Sequence, residues 1–121
     1  MPDNSFAGDR WKNPPSESIQ KLLKGAKTIA IVGLSPKTER PSNGVASYLL
    51  HQGYKIIPVN PGFKEILGQK SYPALADIPE TIDIVDLFRS SEYAVPIVNE
   101  AISIGVKAVW MPGVGIIREG L

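Results

Sequence analysis

Between Thr28 and Leu34 the chain reads Thr-Ile-Ala-Ile-Val-Gly-Leu, an apolar run interrupted only by Gly33. Its apolar residues are continuous rather than alternating, which suits a parallel strand covered on both faces. A polar loop follows, carrying the cations Lys37 and Arg40 and the hydroxyls of Ser35, Thr38 and Ser42. A helical pattern then begins at Asn43. Strand, loop and helix N-terminus in series make a place for an anion, because the first amides of a helix have no partner and its dipole is positive there.

The rest of the chain repeats the alternation. Ser16 to Lys24 reads as a short helix, with Ser16 as N-cap and Gly25 at its end. Asn43 to Gln52 reads as a helix that buries Val45, Ala46, Leu49 and Leu50. Tyr54 to Val59 is a second strand, with Pro58 placed at its end because it removes a ladder donor. Pro61 to Pro79 is a long connection with Phe63, Leu67 and Tyr72 as small anchors, a short strand near Gln69 to Ser71 and one helical turn at Leu75 to Ile78. Asp83 to Phe88 is a strand. Val95 to Ile104 is a helix that tolerates Pro96 only in its first turn. Val106 to Met111 is a further strand, Pro112 to Gly115 a glycine-rich turn, and Ile116 to Leu121 the start of a helix.

Strands alternating with helices imply right-handed crossovers and a parallel sheet. Ligands of such sheets gather beyond the carboxyl ends of the strands. Four segments fall there: Gly33 to Ser42, Asn60 to Gly62, Arg89 to Ser91 and Trp110 to Gly115. Each is distant from the others in sequence, and the topology brings them together.

Composition removes several classes of chemistry. The chain of 121 residues has no cysteine, so it forms no disulfide, thiolate metal site or cysteine nucleophile. A net charge of +1 gives no general attraction to nucleic acid or membranes. No apolar run approaches the roughly 20 residues of a membrane span, and residues 1–15 lack the apolar core of a signal peptide. The expectation is a polar arm over residues 1–15, one domain over 16–121 and a cytoplasmic location.

In the first loop, Gly33 permits a tight turn and close approach of a phosphate. Ser35, Thr38 and Ser42 offer hydroxyls, and Lys37 and Arg40 offer charge, each charge-assisted hydrogen bond contributing about 1.5–3 kcal/mol. The pattern departs from the dinucleotide fingerprint. Ser35 replaces the second glycine, and the second strand ends in Val59-Asn60-Pro61 with no acid for ribose hydroxyls. No Walker A pattern is present either. Phosphates are expected, but ribose capture in the NAD manner is not.

Gly33-Leu34-Ser35, Lys37, Arg40-Pro41-Ser42, Val59-Asn60-Pro61, Phe88-Arg89 and Trp110-Met111-Pro112-Gly113 together resemble the small stand-alone CoA-binding protein family. That family is similar to the CoA-binding domain of the succinyl-CoA synthetase α-subunit. The resemblance runs from about Ser16 to the end. It implies an α/β, Rossmann-like three-layer sandwich with a mostly parallel sheet. It also implies a coenzyme A or acyl-CoA ligand whose phosphates lie near Lys37 and Arg40. Asn60 and Pro61 would line the adenine side. Arg89 and the turn of Trp110, Met111, Pro112 and Gly113 would line the channel toward pantetheine. Members usually continue with another helix and strand, so a truncated C-terminal edge of the sheet is expected here.

Other polar residues read more plainly. His51, late in a helix, suits the C-terminal dipole. Asp83 and Asp86 are three apart on a strand, face opposite sides and make a poor acid/base pair. Asp86 and Arg89 suit an ion pair at the strand end. No nucleophile, triad or metal cluster stands out. The expectation is therefore a binding module without catalysis, a carrier, sensor or regulator, working as monomer or homodimer with a partner protein unspecified. An NAD(P)-linked oxidoreductase, or the cofactor half of one, is the rival.

Overall fold

The computed structural model describes residues 23–89, 91–111 and 115–119. The N-terminal arm, the Ser16 to Lys24 helix apart from its last two residues, and Pro112 and Gly113 lie outside the described residues. Seven strands and two α-helices follow in order: β1 Thr28–Val32, α1 Pro41–His51, β2 Lys55–Val59, β3 Glu65–Ile66, β4 Gln69–Lys70, β5 Ile84–Leu87, α2 Ala94–Ser103, β6 Ala108–Met111 and β7 Gly115–Glu119.

The main sheet has the order β2-β1-β5-β6-β7. The first four strands are parallel, with Ile29 facing Ile56 on one side and Ile84 on the other. The uninterrupted burial of β1, β5 and β6 has its cause here, since each has a covered neighbour on both faces. One core holds Ile29, Ile31, Leu34, Val45, Leu49 and Ile84 on the α1 side. The other holds Val32, Ile57, Val59, Val85, Leu87 and Val109, with Ile97 and Val98 of α2 packed against it. Burying each such side chain contributes about 1.5–3 kcal/mol. The result is the Rossmann-like three-layer α/β sandwich.

The last segment corrects the sequence expectation. Gly115–Glu119 is a strand, antiparallel to β6, and not the start of a helix. Ile116 and Ile117 are β-branched and favour the extended backbone. β7 runs antiparallel along β6, so the sheet is mostly rather than wholly parallel.

Pro58 lies inside β2 without cost. Its carbonyl accepts from the Tyr72 amide at 3.0 Å, on the side away from β1, so the missing donor would have pointed away from β1 as well. The β3–β4 hairpin turns at Leu67 and Gly68, with φ of 55° and 74°, as a two-residue turn with both central residues left-handed requires. It packs beside β2 and shapes the Asn60–Phe63 turn.

Candidate functional site

The chain leaves β1 for β2 on one side and returns to β5 on the other, so the sheet's topological switch point lies between β1 and β5. Crevices for ligands open there, beyond the carboxyl ends of the strands. Gly33 occupies the position with φ of 86°. Its amide donates to the Val59 carbonyl at 2.9 Å, and a Cβ would lie 2.5 Å from the Phe88 carbonyl oxygen. Only glycine fits between the ends of three strands.

A cavity of about 380 Å³ opens at this point, lined by Gly33, Ser35, Lys37 and Arg40 of the loop. Pro41 and Ser42 of α1, Asn60 and Phe63 of the next turn, and Phe88 complete its walls. Helix α1 starts at Pro41, two residues earlier than its sequence pattern indicates, because proline suits the first helical position. Its N-cap residue, Arg40, makes no side-chain cap. The first turn of α1 is thus open toward the cavity, with its dipole aimed there.

The loop is organised by its own hydrogen bonds. The Ser35 amide donates to Ser42 Oγ at 3.0 Å, and the Lys37 amide to Ser35 Oγ at 3.1 Å. Asn43 Nδ2 donates to the Ser35 carbonyl at 3.0 Å. Both serine hydroxyls act as acceptors in the loop and keep their O–H groups to donate. Lys37 and Arg40 are exposed, and among the described residues neither they nor Arg89 pairs with a carboxylate. Two uncompensated cations, two hydroxyls and an open helix N-terminus around one cavity suit a polyanion.

The remaining sequence candidates are distributed around this centre. Thr38 is exposed on the loop. Asn60 is a structural tie: its Nδ2 donates to the Leu34 carbonyl at 3.0 Å and its Oδ1 accepts from the Gly62 amide at 2.9 Å. Pro61 and Arg89 lie on the opposite face of the strand ends, in a second cavity of about 150 Å³. The Arg89 guanidinium stacks over the Tyr93 ring at 4.6 Å. Trp110 and Met111 are buried in β6, away from the walls of the first cavity.

Several expectations about polar groups change. Asp86 forms no ion pair with Arg89; it is fully buried, and among the described residues neither of its oxygens has a hydrogen-bond partner. Burial pushes its carboxyl well above the usual 3.8. The backbone turns Arg89 outward past the end of β5, while Asp86 points into the sheet face beside Ile31 and Trp110 of the flanking strands. Asp83 precedes β5 rather than lying in it. Desolvation raises its carboxyl, but the amides of Lys27 and Thr28 and the cation of Lys107 outweigh that and hold it below 3.8. Phe63 is 46% exposed at the cavity wall and is no core anchor. His51 is exposed, its Nδ1 2.9 Å from the Ser47 carbonyl. Among the described residues no three His, Cys, Asp or Glu side chains cluster as a metal site, and no helix is long and apolar enough to cross a membrane.

Three residues escaped the sequence reading. Asn43 was placed only as a helix start, yet it is buried and holds the loop backbone. Phe63 had a local signal, an aromatic residue directly after an Asn-Pro-Gly turn. Glu100 had none, since its place beside the second cavity depends on how α2 packs.

Comparison with known proteins agrees with this geometry. The chain is 38% identical over 108 residues to the uncharacterized protein YneT of Bacillus subtilis (strain 168), covering 89% of this chain and 79% of that one. A solved structure of a hypothetical protein from Pyrococcus horikoshii OT3 superposes with a TM-score of 0.75 at 48% identity, over 78% of this chain and 66% of that one. An ADP-forming acetate–CoA ligase II of Archaeoglobus fulgidus is 29% identical over 96 residues, which cover 78% of this chain but 14% of the ligase. The family model described as CoA binding domain matches residues 27–117, which take in β1, the cation-bearing loop and all the strand ends that frame the cavity. On that match, over three quarters of its length, the chain belongs to the CoA binding domain family.

Proposed function

We propose that the chain binds coenzyme A or an acyl-CoA and serves as a non-catalytic carrier, sensor or regulator. The observation that carries this reading is the cavity at the switch point, where, among the described residues, Lys37 and Arg40 pair with no carboxylate beside the open first turn of α1. The donor set fits a diphosphate: hydroxyls from Ser35 and Ser42, two cations and a glycine whose missing Cβ allows close approach. Coenzyme A supplies a thiol, or a thioester when acylated, at the far end from its phosphates. This chain's residues would hold the phosphate end and leave that chemistry to others.

An NAD-linked role is disfavoured by Asn60. It stands where an acid would bind ribose hydroxyls, and its side chain is already committed to Leu34 and Gly62. A ligase-type phosphohistidine is disfavoured by His51. It closes α1 ten residues from Pro41, about 15 Å along the helix from the cavity.

The test is a calorimetric titration with coenzyme A and with NAD(H). Micromolar binding of coenzyme A, about −8 kcal/mol, is expected. No heat with coenzyme A, or tighter binding of NAD(H), overturns the reading. A second arm incubates the protein with acetyl-CoA. Turnover to free thiol above the buffer rate would contradict the non-catalytic role.

A further inference from the structure

We propose that Asp86 is a proton-controlled regulator of the first cavity: with its carboxyl neutral the cavity holds a polyanion, and with its carboxyl charged the hold weakens. The proposal rests on the coenzyme A reading above. Strand alternation puts Ile84, Asp86 and Phe88 on one face of the chain. Ile84 belongs to the α1-side core, and Phe88 packs against that core. The Phe88 amide donates to the Val32 carbonyl at 2.8 Å, so the ladder between β1 and β5 continues to this residue. Phe88 also lines the first cavity. Asp86 thus sits about 7 Å back along the strand from a wall of that cavity, one side-chain layer deeper.

Its surroundings leave a charge there uncompensated. Ile31 flanks Asp86 on β1 and Trp110 on β6. Helix α1 brings Val45, Ala46 and Leu49 to the same core. Among the described residues Asp86 is the one side chain whose buried oxygens or nitrogens have no hydrogen-bond partner, and it makes no ion pair. The charged groups at the cavity are Lys37 and Arg40, with Glu39 exposed on the same loop. Asp83, three residues back, faces the other way and is held by the Lys27 and Thr28 amides and by Lys107. His51 stands at the far end of α1. A carboxylate taken out of water with no partner costs far more than the neutral acid. Asp86 is therefore neutral at low pH and ionises late, burial alone moving its carboxyl well above 3.8.

A diphosphate docked on Gly33 and the first turn of α1 sets negative charge in front of this wall. An ionised Asp86 sets another behind it, in an interior where salt screens little. Two unit charges about 10 Å apart, at an effective dielectric constant near 20, repel enough to change affinity roughly tenfold. The sign follows. Affinity is high while Asp86 keeps its proton and falls as pH rises through its folded value. Linkage is reciprocal, so a bound polyanion makes Asp86 hold its proton to a higher pH than in the free protein. The cavity then responds to proton concentration as well as to ligand.

The probe is S-methyl coenzyme A, whose sulfur does not titrate. Carbon-13 NMR follows the Asp86 carboxyl of the unaltered protein, assigned through its own backbone, from about pH 5 to about pH 9, free and saturated with the probe. Its midpoint should rise by about one unit on saturation, the same tenfold read from the other side. An unmoved midpoint, or a carboxyl that keeps one charge state across the range, overturns the proposal. Calorimetry over the same range compares the unaltered protein with Asp86→Asn and Asp86→Val. Titration of the probe's 3′-phosphate near pH 6 is common to all three and cancels in the ratio of their Kd values. The unaltered protein should match the variants at the acid end and bind about tenfold more weakly at the alkaline end. Thermal midpoints confirm that each variant is folded. A ratio that does not change with pH overturns the proposal while the coenzyme A reading stands, since it marks a merely structural role. Absence of probe binding by the unaltered protein at every pH removes both.

Discussion

The Ser35 amide donates to the Oγ of Ser42, seven residues onward, at 3.0 Å. This bond ties the end of β1 to the first turn of α1, so the loop between them is shaped before any ligand arrives. Because Ser42 is buried, its bond to Ser35 is little exchanged with water. Pre-shaping of this kind raises affinity by reducing the ordering cost of binding.

Ser42→Ala tests that arrangement. The Ser35 amide would lose its acceptor in a half-buried place, at a cost of about 1–3 kcal/mol. Coenzyme A affinity should fall by about tenfold and the thermal midpoint by a few degrees. Calorimetry and a melting curve on the same sample separate the two effects. Unaltered affinity would show that the loop finds its shape without the tie.

Gly33→Ala has a different signature. Its φ of 86° and the 2.5 Å approach to the Phe88 carbonyl leave no room for a methyl group. Destabilisation of about 2 kcal/mol or more is expected in urea unfolding, with β1 and β5 forced apart where the cavity begins.

The pH dependence of stability should carry two opposite contributions. Asp86 holds its proton in the folded state to a higher pH than in the unfolded chain. Its contribution is complete below the ordinary value of 3.8 and is lost as pH rises from there through the raised folded value. Asp83 has a lowered folded value, so its contribution is present above 3.8 and is lost as pH falls through that lowered value. Asp86→Asn should gain stability relative to the unaltered protein as pH is raised from about 4 to 8, and Asp83→Asn should lose its disadvantage as pH is lowered. Urea midpoints across a pH series check both. A flat difference for Asp86→Asn would show that the buried carboxyl titrates normally.

Much of this arrangement is legible in the sequence because it is written in contiguous runs. β1, β2, β5 and β6 are apolar stretches bounded by glycine, asparagine or charge, and Gly33 and Pro41 mark the turn and the helix start directly. β7 is not legible in the sequence because Ile116–Glu119 is too short for periodicity to separate strand from helix, and its register against β6 is a tertiary fact. Sequence proximity suggests a pair of Asp86 with Arg89, whereas strand alternation and the end of β5 send them apart. Glu100 and Phe63 reach their cavities only through packing of α2 and the β3–β4 hairpin. Sequence spacing carries no trace of that.

The cations provide the most direct test of the coenzyme A site. Lys37 and Arg40 flank the cavity at the N-terminus of α1, both exposed and, among the described residues, both without a carboxylate partner. Solvent screening places each at the low end of a charge-assisted bond, about 1.5 kcal/mol or tenfold in affinity. Lys37→Ala and Arg40→Ala should each weaken coenzyme A by about that factor. The Arg40 amide donates to the Lys37 carbonyl at 3.1 Å, so the two cations belong to one turn and the loss in the double variant should fall short of the product. Raising salt from about 50 to about 500 mM should weaken the unaltered protein more than the double variant, because the double variant has less charge to be screened. Dephospho-CoA decides which phosphate they meet. Both cations lie at the open helix turn, where a diphosphate docks, so coenzyme A and dephospho-CoA should lose affinity equally in both variants. A larger loss for coenzyme A would move the cation concerned to the 3′-phosphate.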